Sequence, residues 1–486
     1  MFFQRAEFIL YTHNQRQKKH SQKSNIMKFL KDDFLLSNAT AKKLFEKAKQ
    51  LPIIDYHNHL DPKAIAEDRK ITSIADLWVV SDPYKHRAMR IAGVEERKIS
   101  GDASGEEKFE AWADVCVNSW GNPLFHWSAM ELKSVFGVDE VLCKDNAKQI
   151  MDECNRIIAE KNLTTNSILR SWNIEALCTS DDLLDDVSVH TLATKNSGGF
   201  SVMPSLRADS IFAFQMPAFA KWFERLNAMH KVENLADYIS ALSSRLDAFE
   251  SAKCKLADHS LDSGWSYIET DEEQASKIFE KALSNSADAT ELVMLKSYIL
   301  HWLAVEYGKR GWILQLHIGA ERYTSSRLRT LAGGAGGYAT IGKACDITSL
   351  VRFIDSVEKC GSLGKIILYT LNPADNQALS VLTGSFSQDG VWGKLQFGPA
   401  WWYNDHLEGI KAHLKSLESF GLLSKFIGMT TDSRSILSFS RHEYFRRIIC
   451  SHIGEMAERG EIPQDEDFLV KAVSDISYNN AKNWIF

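Results

Sequence analysis

Short apolar runs recur along the chain. Each is rich in Ile, Val and Leu, and each ends abruptly in small, polar or charged residues. Residues 51–54 lead into Asp55-Tyr56-His57-Asn58-His59, and residues 174–178 into Thr179-Ser180-Asp181-Asp182. Residues 200–203 lead into Pro204-Ser205-Leu206-Arg207-Ala208-Asp209, and residues 253–257 into Asp258-His259. Residues 312–316 lead into His317-Ile318-Gly319-Ala320-Glu321-Arg322, and residues 365–369 into Thr370-Leu371-Asn372-Pro373. Residues 394–397 lead into Gly398-Pro399-Ala400-Trp401-Trp402, and residues 426–429 into Thr430-Thr431-Asp432-Ser433-Arg434. Helical sequence lies between most of them. Leu292, Leu295, Ile299 and Trp302 recur at helical spacing with a stop at Gly308, and Phe445, Ile448, Ile449, Ile453 and Met456 repeat the pattern. Continuous apolar strands alternating with helices imply a parallel sheet buried on both faces. Eight such units predict an α/β fold, a closed (β/α)8 barrel of the TIM type.

One segment breaks the rhythm. Residues 60–171, between the first and second runs, are rich in Trp, charged residues and helical spacing. They read as a helical insertion after the first strand, set over the mouth of a single barrel domain spanning residues 27–486. The first 26 residues carry Arg5, Arg16, Lys18, Lys19 and Lys23 against one acid, Glu7, and read as a disordered basic tail before the more ordinary sequence that starts at Met27.

Composition removes several function classes. At 44% hydrophobic and 25% charged residues the chain is an ordinary globular one. A net charge of -6 offers no basic field for a nucleic acid. No apolar run reaches the length of a membrane span. The eight cysteines are scattered, with no C-x-x-C pair, which points to free thiols in a reducing compartment and a cytoplasmic protein.

In a (β/α)8 barrel the active site lies at the C-terminal ends of the strands. That rim gathers His57, His59, Arg207, Asp258, His317, Arg322, Trp401, Asp432 and Arg434. Strand side chains alternate faces, so His57 and His59 converge on one point, as a divalent metal requires. The first and eighth strands of a closed barrel are neighbours, so the carboxylate of Asp432 reaches the same ion. Two imidazoles and one carboxylate make an open site for a single Zn²⁺ or Mn²⁺. Arg207, Arg322 and Arg434 offer planar forks for an anionic or oxygen-rich ligand, although a surface salt bridge is the commoner fate of an arginine. Arg434, two residues beyond Asp432, shares its direction if the strand continues. His317 is either a third imidazole near the metal, an acid–base group, or a core histidine bonded to backbone. Trp401-Trp402 reads as a sugar-stacking wall or as aromatic core. His442, Tyr444, Arg446 and Arg447 lie on a predicted helix and read as structural.

Asp55-Tyr56-His57-Asn58-His59-Leu60 resembles the opening strand of the amidohydrolase superfamily of metal-dependent hydrolases, and more closely the uronate isomerases. The likeness continues through Asn122-Pro123-Leu124-Phe125-His126-Trp127, the stretch 311–320 and Tyr369-Thr370-Leu371-Asn372-Pro373. It is strongest in Thr431-Asp432-Ser433-Arg434-Ser435 and Arg441-His442-Glu443-Tyr444-Phe445-Arg446-Arg447. The resemblance implies reversible conversion of D-glucuronate to D-fructuronate and of D-galacturonate to D-tagaturonate, on one divalent metal held by His57, His59 and Asp432. It implies active-site positions for Tyr84, Arg207, His317, Arg322, Trp401 and Arg434. Asp432, Tyr84, His317 and Arg434 are the expected catalytic group; Arg207, Arg322, Trp401 and Asp258 are the expected substrate contacts. The partner is a small hexuronate, and a homo-oligomer is expected. The chain departs from the family where Asp82-Pro83-Tyr84-Lys85-His86-Arg87 replaces Asp-His-Tyr-Lys-Trp-Arg. Pro83 carries no proton, so His86 is the expected substitute if the loop shifts. Two alternatives stay open: a mononuclear deaminase using His317 and Glu321, and an inactive sugar-acid binding protein.

Overall fold

The computed structural model describes residues 27–486, so the basic tail expected over residues 1–26 lies outside the described residues. The strands are β1 Ile53–Asn58, β2 Ile174–Asp182, β3 Ser201–Arg207, β4 Leu256–Leu261, β5 Ile313–Ile318, β6 Ala320–Glu321, β7 Thr340–Ile341, β8 Ile366–Thr370 and β9 Leu395–Phe397. Seven pair in one parallel sheet, in the order β1-β2-β3-β4-β5-β8-β9, and β6 and β7 form a separate antiparallel pair. Seven of the eight apolar runs therefore become sheet strands, and several strands continue into the polar residues that follow the run.

The helices form where the spacing puts them. Residues 291–308 lie in the helix Ala289–Lys309, started by a capping box between Asp288 and Glu291. The second predicted helix is Ser440–Glu458. Residues between β1 and β2 are helical throughout most of their length, including Pro83–Ile91 and Pro123–Phe136. The sheet is covered on both faces. Leu177, Val202, Leu206, Leu316 and Leu368 pack against helices, while Ile54, Ala176, Cys178, Leu256, Ile313 and Ile367 fill the interior. Trp484 and Ile485, from the C-terminal helix Asn480–Ile485, close that interior from below. The Trp484 indole donates to the carbonyls of Trp392 and Gly393, just ahead of β9.

The eighth predicted strand differs. Residues 426–430 lie along β1 but make no ladder. Gly428 (φ 77°) and Asp432 (φ 48°) both sit in the left-handed region, which interrupts an extended strand. Side chains of β1 and this segment replace the ladder. The Tyr56 hydroxyl donates to the Gly428 carbonyl at 2.8 Å, and the His57 N–H donates to Thr430 Oγ1 at 2.8 Å. Two backbone bonds follow, from the Asp432 N–H to the His57 carbonyl (3.0 Å) and from the His59 N–H to the Ser433 carbonyl (2.8 Å).

β1 is irregular as well. Its register against β2 slips between Asp55 and Asn58. Tyr56 packs in the barrel interior with Ile54, yet the ring of the next residue, His57, also faces inward, 4.7 Å from that of His317. Two consecutive residues share a face only where simple alternation fails, as a bulge allows. The H-x-H spacing therefore delivers its pair of imidazoles through a slipped strand.

A Cβ on Gly428 would stand 2.1 Å from the Ile476 carbonyl oxygen, on a backbone that L-residues avoid. Gly428→Ala is expected to lower the free energy of unfolding by about 2 kcal/mol or more, read as a fall in the urea midpoint.

Candidate active site

A cavity of about 290 Å³, open to solvent, lies over the C-terminal ends of the strands. Its floor holds His57, His59, His317 and Asp432. His57 Nε2 and His59 Nε2 lie 3.3 Å and 3.0 Å from the same oxygen, Asp432 Oδ1. One donor atom from each of the three falls within 4.8 Å of the others; His57, Asp258 and His317 make a second such group. Among the described residues, none of the ring nitrogens of His57 and His317 has a hydrogen-bond partner, although these atoms are buried. Buried polar atoms are normally satisfied, and leaving one unpaired costs about 1–3 kcal/mol. His57, His59 and Asp432, each offering one ligand atom within 4.8 Å of the others, fit a divalent cation held by two imidazoles and a carboxylate.

The charge states of Asp432 and His59 agree with that fit. Burial alone would raise the Asp432 carboxyl, but the two imidazoles outweigh it and hold the group well below the usual carboxylate range. Burial pushes the His59 imidazole down to about 4, against the pull of Asp432. Burial, with the His57 charge beside it, pushes His317 well below its ordinary value. His57 moves the other way: burial would depress it, and Asp432 and Asp258 together raise it. An ionised carboxylate and neutral imidazoles are the forms that bind metal.

Around this floor stand the polar groups. Arg207, at the end of β3, pairs with Asp258 Oδ2 (3.0 Å) and Asp209 Oδ2 (2.8 Å). Asp258 is fully buried and does not line the cavity; its place is beneath Arg207, not against a ligand. Arg322 is held by Asp262 (2.8 Å) and Ser260 (2.6 Å), and its guanidinium lies 5.7 Å from the Trp402 ring. The Trp401 indole donates to Asp432 Oδ2 at 2.8 Å, leaving Oδ1 to the histidines. Trp401 also packs 4.8 Å from the His317 ring, which stacks on Tyr369 at 4.5 Å. Arg434 lines the cavity, exposed, and no carboxylate among the described residues pairs with it. It reaches the cavity even though the left-handed turn at Asp432 ends any strand, so the two residues do not face the cavity by simple alternation.

The roof comes from two excursions. Tyr84 enters from the helix Pro83–Ile91, whose N-cap Asp82 accepts from the Tyr84 N–H (2.9 Å) and the Lys85 N–H (3.2 Å). Pro83 opens that helix, a position that needs no N–H donor. The second excursion leaves β5 and runs through Tyr323 and the glycine-rich residues 333–337. Gly337 (φ 79°) presses on the Pro83 carbonyl; a Cβ there would meet that oxygen at 2.3 Å. Arg87 donates to the Ala339 carbonyl at 3.1 Å, and Arg90 donates to Gly336. The inserted helix and the glycine loop are thus fastened together above the cavity.

Of the residues expected from sequence, His57, His59, Tyr84, Arg207, His317, Arg322, Trp401, Asp432 and Arg434 all line this cavity, while Asp258 does not. His86 does not take the place left by Pro83. Its ring is buried and bonded to the Val79 carbonyl at 2.9 Å, because the helix turns that face into the insertion's own core. Glu321 is exposed and does not line the cavity. His442, Tyr444, Arg446 and Arg447 hold structure: His442 meets Asp55, Tyr444 meets His126, and the arginines donate to the carbonyls of Leu51, Pro52, Asp32 and Phe34. Sequence reasoning passed over Asp209, Tyr323 and the small residues Gly334, Ala335, Gly337 and Ala339 as cavity lining, whereas Trp402, read there as stacking wall or core, does line it. The run Gly333-Gly334-Ala335-Gly336-Gly337 was the available signal for the small residues.

A curled parallel sheet with two imidazoles from its first strand and a carboxylate from the segment beyond its last defines a barrel enzyme built around a cation site. A model of the family described as glucuronate isomerase matches residues 26–485. A uronate isomerase of Caldanaerobacter subterraneus subsp. tengcongensis is 40% identical over 463 residues, covering 94% of this chain and 99% of its own. The crystal structure of a uronate isomerase from Thermotoga maritima superposes with a TM-score of 0.88 at 32% identity, covering 95% of this chain and all of that one. A glucuronate isomerase from Caulobacter crescentus shares the fold at a TM-score of 0.87 and 22% identity, over 94% of this chain and 97% of that one. The chain belongs to the glucuronate isomerase family and is an isomerase.

The buried histidines set an acid limit. Burial holds His59, His259 and His413 at about 4 in the folded chain, below the ordinary 6.5. Groups depressed on folding stabilise fully above 6.5, and that stability is lost as pH falls toward 4; His57, raised, works with the opposite sign but is one group against three. The urea midpoint of metal-free protein is expected to fall between pH 7 and pH 5. A flat or rising midpoint contradicts the assignment.

Proposed function

We propose that this chain interconverts D-glucuronate with D-fructuronate and D-galacturonate with D-tagaturonate, using one divalent cation held by His57, His59 and Asp432. The observation that carries the reading is the meeting of two imidazole nitrogens and Asp432 Oδ1 at one point on the floor of a cavity lined by three arginines. Two nitrogens and one oxygen suit Zn²⁺ or Mn²⁺. When bound, such a cation supplies Lewis acidity to the sugar's oxygens.

The chain's own groups do the rest. Arg207, Arg322 and Arg434 hold the carboxylate and hydroxyls of the open-chain acid, and of the three only Arg434 pairs with no carboxylate among the described residues. Asp258 keeps Arg207 aimed into the cavity. Trp401 offers an apolar wall. Asp432 takes the proton from C2; the C–H electrons form the C1–C2 double bond of a cis-enediol as the C1 carbonyl oxygen takes up a proton. The C2 proton then returns to C1 while the C2 hydroxyl gives up its own. Tyr84 and His317 are the groups placed to carry protons between the two oxygens. The arginines stabilise the negative charge that develops. Pro83 has no proton to transfer, so the proton work of this site falls on Tyr84, His317 and Asp432. The reading includes a cytoplasmic location, which the eight unpaired cysteines support; no helix among the described residues is long and apolar enough to cross a membrane.

Purified protein incubated with D-glucuronate is expected to yield the ketose by NMR, and a chelator is expected to abolish it. Ligand-induced stabilisation without any ketose would favour an inactive binding protein instead. Asp432→Asn is expected to lower turnover by about 100-fold or more at saturating metal. Full turnover with normal metal content would remove Asp432 as the base.

A further inference from the structure

Asp55 lies two residues before His57, is fully buried, and touches no substrate-facing surface. Among the described residues it pairs with no arginine or lysine. Its charge is met by hydrogen-bond donors from three separate elements. Oδ2 accepts from the Thr431 N–H at 2.9 Å and lies 2.9 Å from His442 Nε2 on the helix Ser440–Glu458. Oδ1 accepts from the Asn58 amide at 3.0 Å, and that amide's own oxygen accepts from the Leu60 N–H at 3.2 Å. The Thr430 hydroxyl lies 3.2 Å from Oδ1 and 2.8 Å from the His57 carbonyl, and its single proton serves one of them at a time.

These bonds bracket the donor atoms. Asn58 and Leu60 flank His59; Thr431 precedes Asp432. The segment bearing Asp432 has no ladder, so two backbone bonds, from Asp432 N–H to the His57 carbonyl and from His59 N–H to the Ser433 carbonyl, act with side-chain bonds of this kind to set where its carboxylate stands relative to the two imidazoles. Ligand geometry within a few tenths of an ångström decides metal affinity, and groups behind the ligands impose it.

We propose that the buried Asp55–His442 pair is a positioning clamp that sets the affinity of the His57/His59/Asp432 site for its cation, by locking both ligand-bearing segments to one carboxylate. The proposal rests on the reading of those three residues as the cation site. Asp55→Asn keeps the shape but puts an NH₂ where one oxygen accepts, so at least one donor loses its acceptor. His442→Gln keeps an N–H near the imidazole Nε2 position, whereas His442→Leu removes it.

The test uses full-length, metal-free protein and Mn²⁺, with the dissociation constant read by competition against a chromophoric chelator and folding by thermal melting. Asp55→Asn and His442→Leu are expected to weaken Mn²⁺ binding by about 10- to 100-fold, while His442→Gln stays within about threefold of the wild type. A folded Asp55→Asn protein with wild-type affinity overturns the proposal. If Asp55→Asn does not fold, the His442 pair decides: equal affinities for the Leu and Gln proteins overturn it, and loss in Leu with retention in Gln supports it. Failure of the wild type itself to bind one Mn²⁺ would overturn the cation-site reading, and the clamp with it.

Discussion

A parallel sheet of seven strands leaves two open edges, and how those edges are joined governs everything above them. The segment that follows β9 gives up the extended backbone at Gly428 and Asp432 and so cannot zip onto β1. Closure is left to side chains and two isolated backbone bonds. Tyr56 and Thr430 join segment to strand, and Trp401, beyond β9, reaches across to Asp432. A ladder would have pointed residues in and out by strict alternation. Side-chain closure frees Asp432 to turn toward two imidazoles on the neighbouring edge. The same freedom exists on β1, where the slipped register brings Tyr56 into the core and His57 to the cavity.

That arrangement is costly for the fold alone. His57 and His317 keep four buried ring nitrogens without partners among the described residues, and Asp432 adopts a backbone that non-glycine residues seldom hold. Each such feature opposes stability by about 1–3 kcal/mol. Burial also depresses the imidazoles of His59 and His317 at the expense of acid stability, while Asp432 and Asp258 raise that of His57.

The cavity's upper half is built on another principle. The insertion after β1 and the glycine loop after β5 touch where Gly337 meets the Pro83 carbonyl, and arginines of the inserted helix donate to the loop's carbonyls. The family pattern that residues 82–87 resemble carries a histidine where this chain has Pro83. Here the proline presents only its carbonyl and its ring, so this roof is sealed by backbone contact, and His86 is turned away into the insertion.

How much was legible follows from which interactions are local. Apolar runs, polar run ends and helical periodicity located seven strands, the long helices, the helical insertion and much of the cavity's polar lining, because these signals depend on neighbours in sequence, whereas Tyr84 was marked only by the family resemblance. His57, His59 and Asp432 stood out as run ends. The sequence could not tell that residues 426–429 would forgo a ladder, since a left-handed turn at a non-glycine residue such as Asp432 is imposed by contacts made hundreds of positions away. Nor could it tell that Asp258 would lie under Arg207, that His86 would face a core, or that Asp55 would gather donors from three elements. Those outcomes were decided by tertiary structure, because burial and hydrogen-bond partnership are properties of the packed chain, whereas periodicity and strand-end chemistry are written in the order of its residues.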